Sequence, residues 1–170
     1  ASAVASEGKT LTALNLAATL ASSYRRRVLL IDADLRGPSV HATLRCPVAP
    51  GVSDVLAGNA GPDLPAIEIT PGFFVLTAGT KTRDPISAIS SEQFRQLLAD
   101  AAAAFDWVVL DIPPVGSLPD AGLLTAMSDT TVLVVQTGSA AYPVVQRAAE
   151  AVGPDRIIGV VLNMVAPGEL

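Results

Sequence analysis

The chain has 170 residues, half of them hydrophobic and 16% charged, which suits one domain with a substantial core and excludes disorder. A net charge of −5 argues against a nucleic-acid surface, which needs clustered Lys and Arg. The single cysteine, Cys46, excludes an internal disulfide and a cysteine metal cluster, fits a reducing compartment and is expected to be half-buried.

In chain order, the first informative stretch is Ala3-Val-Ala-Ser-Glu-Gly-Lys-Thr10. It follows the phosphate-binding pattern G-x-x-x-x-G-K-[ST], with Ala3 in place of the first glycine, and opens a helical run from Leu11 to Ala21. N–H groups at such a helix start face an anion, which the helix dipole also favours. The lysine reaches the β- and γ-phosphates and the hydroxyl ligates Mg²⁺. The plainer alternative is a Gly-Lys-Thr at an ordinary helix start. A P-loop normally follows a strand, and only the last position of one fits before it. The chain is therefore expected to be a single 1–170 domain, itself a fragment of a larger protein.

Arg25-Arg26-Arg27 is the only basic run and is expected to be a solvated turn after the first helix. Val28-Leu-Leu-Ile-Asp32 reads as a strand buried on both faces that ends in acid. In extended backbone Asp32 and Asp34 point to one side. They are either a structural pair or carboxylates with a Mg²⁺-linked or base role. Arg36 balances these acids or a phosphate, and Gly37-Pro38 turns the chain. Between Ser39 and Pro65, one or two short helices are expected, Val52–Leu56 among them. The lone His41 is assigned a surface or supporting position rather than a metal.

Ala66–Thr70 and Phe73–Ala78 read as strands around Pro71-Gly72, and Gly79 to Ser87 as loop. A helix runs from Ser91-Glu92 to Ala104, with Phe94, Leu97, Leu98 and Ala101 on its core face. Trp107-Val-Val-Leu-Asp111 repeats the acid-ended strand before Ile112-Pro-Pro114, and an acid at this place in P-loop proteins holds Mg²⁺. Asp120–Met127 is helical, Thr130–Gln136 a buried strand, Tyr142–Val152 a helix, and Ile157–Leu162 a last strand with Asn163 at its end. This alternation predicts an α/β fold, a doubly wound, mostly parallel sheet with helices on both faces. Ligands in such folds sit at the carboxyl ends of the strands, where Gly8–Thr10, Asp32, Asp34, Asp111 and Asn163 are expected to meet. No signal peptide is seen, no run reaches the roughly 20 apolar residues that span a bilayer, and the chain is expected to be soluble.

Ser6-Glu-Gly-Lys-Thr10, Val28-Leu-Leu-Ile-Asp-Ala-Asp-Leu-Arg36 with Pro38 and His41, and Val108-Val-Leu-Asp-Ile-Pro-Pro114 together resemble the bacterial tyrosine kinases (BY-kinases). These are P-loop NTPase-type enzymes that regulate capsule and exopolysaccharide assembly and are related to the MinD/ParA ATPases. Gly51–Leu56, Asp120 and Gly159–Asn163 extend the likeness over nearly the whole chain. The signature lysine of the MinD/ParA group would fall at Val4. The resemblance implies ATP and Mg²⁺ as cofactors. It places Ser6, Glu7, Gly8, Lys9, Thr10, Leu11 and Asn163 at the nucleotide, with Asn163 at adenine. Thr10, Asp32 and Asp111 would stand at the metal, and Lys9, Asp32 and Asp34 would be catalytic. Asp32 would accept the tyrosine proton or act through Mg²⁺.

Ala5-Ser6 replaces the family's usual Pro-Gly, so a side chain stands where backbone tolerant of glycine's φ is normal. The closing stretch Val165–Leu170 does not resemble the tyrosine-rich tail of the family, and Tyr24 and Tyr142 are expected to be structural. By the same resemblance the domain works in the cytoplasm at the inner face of the membrane. It would be partnered by or fused to a membrane chain-length-determinant protein, and would be a possible homo-oligomer. The alternative function is a nucleotide switch that binds or slowly hydrolyses ATP without phosphorylating tyrosine, and a scaffold without catalysis is a third reading.

Overall fold

The run of four apolar residues closed by acid forms β1 (Val28–Asp32), with every residue buried. In the computed structural model, which describes residues 1–116, 119–138 and 140–166, β1 lies inside a four-stranded sheet. β3 (Phe73–Leu76) runs parallel along one side, with Val28 opposite Phe73 and Ile31 opposite Leu76. β4 (Trp107–Asp111) runs parallel along the other, and its register sets Asp111 opposite Asp32. β2 (Ile67–Thr70) adds antiparallel to β3 across the Pro71-Gly72 turn, where Gly72 takes a φ of 82°. The order is β2-β3-β1-β4.

Helix α1 (Lys9–Tyr24) buries Leu14, Ala17 and Ala21 in one cluster with Val28, Leu30, Phe73 and Val75. The 3,4 spacing puts these three on one face, and the two alanines let the helix backbone come close to the sheet. Full burial of a side chain such as Leu30 stabilises by about 1.5–3 kcal/mol. α2 (Val40–Leu44), α3 (Val52–Leu56), α4 (Pro85–Ser90) and α5 (Glu92–Ala104) complete a compact unit, Thr10–Asp111.

A second unit is made of Ala1–Lys9 and Ile112–Leu170. It holds α6 (Pro119–Ala126), β5 (Thr131–Gln136), α7 (Tyr142–Val152) and β6 (Ile157–Asn163), with β5 and β6 parallel. Ser2 makes a single parallel bridge to Val134, and the Ala1 carbonyl accepts from the Val134 N–H at 2.8 Å. The residues before the P-loop thus supply one strand position, as the sequence suggests. The chain passes between the units at Lys9–Thr10 and at Asp111–Ile112. The architecture is α/β, and every strand pair except β2–β3 is parallel.

Three expectations need correction. Part of the expected loop 79–87 is helical, because Pro85 opens α4 and the Asp84 carboxylate caps it, accepting from Ser87 N at 3.1 Å and Ser87 Oγ at 2.6 Å. β6 is not covered on both faces: Ile158, Val160 and Leu162 are 69%, 55% and 60% exposed, alternating with half-buried neighbours. Tyr24 and Tyr142 are not structural anchors either, being 67% and 77% exposed. Cys46 is half-buried, as expected. Residues 167–170, the end of the closing stretch, lie outside the described residues.

Candidate active site

In the Thr10–Asp111 unit, a hydroxyl and two carboxylates come together at the ends of β1 and β4. Thr10, in the first turn of α1, donates its Oγ1 proton to Asp111 Oδ2 at 2.6 Å. Thr10 Oγ1 also lies 2.9 Å from Ser39 Oγ. A threonine hydroxyl has one proton, and here it goes to the carboxylate, so Ser39 must be the donor in that second bond. Ser39 occupies the N-cap position of α2, but its hydroxyl makes no cap bond and is turned to Thr10 instead. The sequence reading missed this residue. Its only sequence signal was a serine after Gly37-Pro38 at a helix start.

Asp32 ends β1 fully buried. Its Oδ2 accepts from the backbone N–H of Ser39 at 3.2 Å and of Val40 at 3.1 Å, while Oδ1 is buried with no partner. Burial, reinforced by the Asp111 charge, raises its pKa from 3.8 to about 7, against the lowering by the Val40 N–H. Two neighbouring strand-end carboxylates, one with an unused buried oxygen, form a site short of positive charge. That fits Mg²⁺, which is bound through few protein oxygens, waters and substrate phosphates. Among the described residues no group of three or more His, Cys, Asp or Glu could hold a metal unaided.

Asp34 lies beyond the strand, so the extended geometry that would align it with Asp32 stops at Asp32. Its Oδ1 accepts from Gly37 N at 3.0 Å and fastens the turn. Arg36 is exposed and makes its own contacts, and its charge helps to hold Asp84 below the usual carboxylate range, after the larger effect of the Ser87 hydrogen bonds. His41 is partly buried, with its Nδ1 unpartnered.

In the other unit the P-loop is braced from within. Glu7 is fully buried, its Oε2 accepting from Val4 N at 2.9 Å and its Oε1 from Gln136 N at 3.1 Å. Its carboxylate is therefore a clamp on the loop, and any contact with a nucleotide falls to its backbone N–H. Asn163 does similar work. Its Nδ2 donates to the Glu7 carbonyl at 2.9 Å, so the amide proposed for adenine already holds the loop through its donor. Gly8, at φ 87°, lies against Asn163 so closely that a Cβ there would collide with the amide.

Ser6 takes φ 64°, the left-handed conformation anticipated from the replacement of Pro-Gly by Ala5-Ser6. Such a conformation costs a non-glycine residue about 1 kcal/mol. The Lys9 ammonium makes no ion pair or hydrogen bond among the described residues. Leu11 is 56% exposed, and its apolar side chain offers a nucleotide no polar contact.

These motifs have close counterparts. The CobQ/CobB/MinD/ParA nucleotide binding domain matches residues 2–170. The tyrosine-protein kinase YwqD of Bacillus subtilis is 34% identical over 166 residues, 95% of this chain and 69% of that protein. Among solved structures, the kinase domain of VpsO superposes with a TM-score of 0.90 at 32% identity, covering 98% of this chain and 83% of that one. The kinase domain of the Escherichia coli tyrosine kinase ETK gives a TM-score of 0.90 at 30% identity, over 99% and 67%. The chain belongs to the CobQ/CobB/MinD/ParA nucleotide-binding family and, within it, to the bacterial tyrosine kinases.

Proposed function

We propose that the domain transfers the γ-phosphate of ATP to a tyrosine hydroxyl. The observation that carries this reading is the buried, unpartnered Oδ1 of Asp32 beside the Thr10–Asp111 pair. Phosphoryl transfer asks for positioning, charge neutralisation and a proton acceptor near the attacking oxygen. Lys9 and the loop N–H groups bind the β- and γ-phosphates. Thr10, Asp111 and Asp32 would hold Mg²⁺, which when bound neutralises charge on the phosphates. Asp32, whose Oδ1 has no hydrogen-bond partner, takes the phenolic proton or acts through Mg²⁺. The tyrosine Oη–P bond forms as the bond from the γ-phosphorus to the β–γ bridging oxygen breaks, and ADP leaves with that oxygen.

In this reading Ser39 is a positioning residue that orients the Thr10 hydroxyl. Asp34 shapes the turn after β1. Glu7, Gly8 and Asn163 keep the loop open to phosphate, and Ser6 and Leu11 offer it backbone N–H groups. The resemblance to capsule and exopolysaccharide regulators supports a role in controlling polysaccharide assembly beside a membrane chain-length-determinant protein. Among the described residues no helix is long and apolar enough to cross a membrane.

The test is incubation with Mg·ATP, following phosphotyrosine by mass spectrometry and free phosphate in the same reaction. Phosphotyrosine should form with the wild-type chain and vanish with Asp32→Asn, while Lys9→Met weakens triphosphate binding. Phosphate release without phosphotyrosine would instead establish the nucleotide switch.

A further inference from the structure

Arg25, Arg26 and Arg27 precede Val28, the first residue of β1, whereas Asp32 is its last. Arg27 and Asp32 are thus five residue steps apart along extended strand, roughly 16 Å. With Ala21, Thr70 and Pro71 among their neighbours, the three arginines line a cavity of about 540 Å³. The backbone fixes their placement. Arg25 takes φ 52° where α1 ends, Arg26 N donates to the Leu20 carbonyl at 3.3 Å, and Val28 N donates to the Gly72 carbonyl at 2.8 Å.

All three arginines are exposed between α1 and β1, as expected of a solvated turn. Here none of the three guanidinium groups joins an ion pair among the described residues. Two carboxylates are fastened to backbone beside this turn, Asp106 accepting from Arg27 N at 2.8 Å and Glu68 from Gly72 N at 3.2 Å. The Arg27 guanidinium lies 5.2 Å from the Phe105 ring centroid and 6.0 Å from that of Phe74. A chain of net charge −5 thus places three arginines at one concavity, Arg25 and Arg26 exposed at its edge and Arg27 with its guanidinium over Phe74 and Phe105.

We propose that this cavity is a phosphotyrosine-binding site. Guanidinium groups grip phosphate through paired N–H donors, and arginine clusters are a recurring means of recognising phosphorylated peptides. Small-ligand cavities run from about 300 to 1,000 Å³, so this one has room for a ring bearing a phosphate. Ala21 and Pro71 give the ring apolar surface, and arginine also stacks on aromatic faces. The choice of ligand rests on the tyrosine-kinase reading, since phosphotyrosine is the product of that reaction. The site would hold the modified segment of a substrate or of a second copy away from the catalytic residues.

The probe is a synthetic phosphotyrosyl peptide, titrated into the purified protein with Mg·ADP present to occupy the nucleotide site. Arg25→Ser/Arg26→Ser should weaken its binding at least tenfold while leaving the rate of tyrosine phosphorylation and the melting temperature unchanged. Arg26→Lys, which keeps the charge and loses the fork, should cost several-fold. The unphosphorylated peptide, its glutamate analogue and inorganic phosphate should each bind at least tenfold more weakly. Equal affinity in wild type and double variant would overturn the site. Equal affinity for the glutamate analogue, or capture by phosphatidylserine vesicles in preference to the peptide, would overturn the ligand. Because the peptide is supplied already phosphorylated, its binding is read independently of catalysis. A chain that binds it but makes none refutes the kinase reading, and an active chain that fails to bind it refutes this one.

Discussion

Replacing Asp32 by Asn should stabilise the nucleotide-free protein while abolishing phosphoryl transfer. The native state raises the Asp32 pKa from 3.8 to about 7, chiefly because burial penalises the charged form. Folded protein therefore holds a proton over a range in which unfolded protein has released it. Stability is fullest below about pH 4, falls as pH rises toward 7 and is flat above that. The whole effect comes to about 4 kcal/mol well above pH 7. An asparagine can keep Oδ1 on the Ser39 and Val40 N–H groups and set its NH₂ where the unpartnered carboxylate oxygen now lies. Urea unfolding of both proteins in chelator, at pH 5 and pH 8, gives the test. The advantage of the variant should widen by roughly 2–3 kcal/mol between the two pH values. A difference that does not change with pH would show that Asp32 is not a buried carboxyl with a raised pKa.

The P-loop offers further tests. Gly8→Ala should lower nucleotide affinity at least tenfold in calorimetric titration, because the new Cβ collides with Asn163 and glycine's φ of 87° is lost. Ser6→Gly should raise the thermal midpoint, with a gain of up to about 1 kcal/mol from releasing a left-handed serine. A lowered midpoint would mean that the serine side chain holds the loop. Thr10→Val removes the hydroxyl that donates to the buried Asp111 and should cost about 1–3 kcal/mol in chemical denaturation, together with the dependence of nucleotide affinity on Mg²⁺. Thr10→Ser should restore both.

Elements whose identity depends on local pattern were legible from the sequence. The bounds of α3, α5 and α7 follow from apolar spacing and turn residues, and β1 and β4 from apolar runs ending in aspartate. The pairing of Asp32 with Asp111 was foreseeable because parallel strands in such folds end at one edge. The roles of Glu7, Ser39 and Asn163 were not. Glu7 meets Gln136 across 129 residues and Asn163 meets Glu7 across 156, separations over which no periodicity carries information. Helix α4 was hidden because its six residues hold too few apolar positions to show a period. The exposure of β6 was hidden for the opposite reason, since an unbroken apolar run reads as buried whether or not its second face is covered.

That open face of β6 has a practical consequence. Among the described residues β6 pairs only with β5, so its other edge still offers unpaired N–H and C=O groups. Beside that edge Ile158, Val160 and Leu162 stand out at every second position, with no charge among them to repel a neighbour. Strand edges of this kind template the addition of further strands. Concentrated solutions of this polypeptide should therefore drift toward larger species on storage, fastest near its isoelectric point of about 4.7, where charge repulsion between molecules is least. Light scattering against time and concentration would reveal this colloidal behaviour, and work at neutral pH and low protein concentration would restrain it.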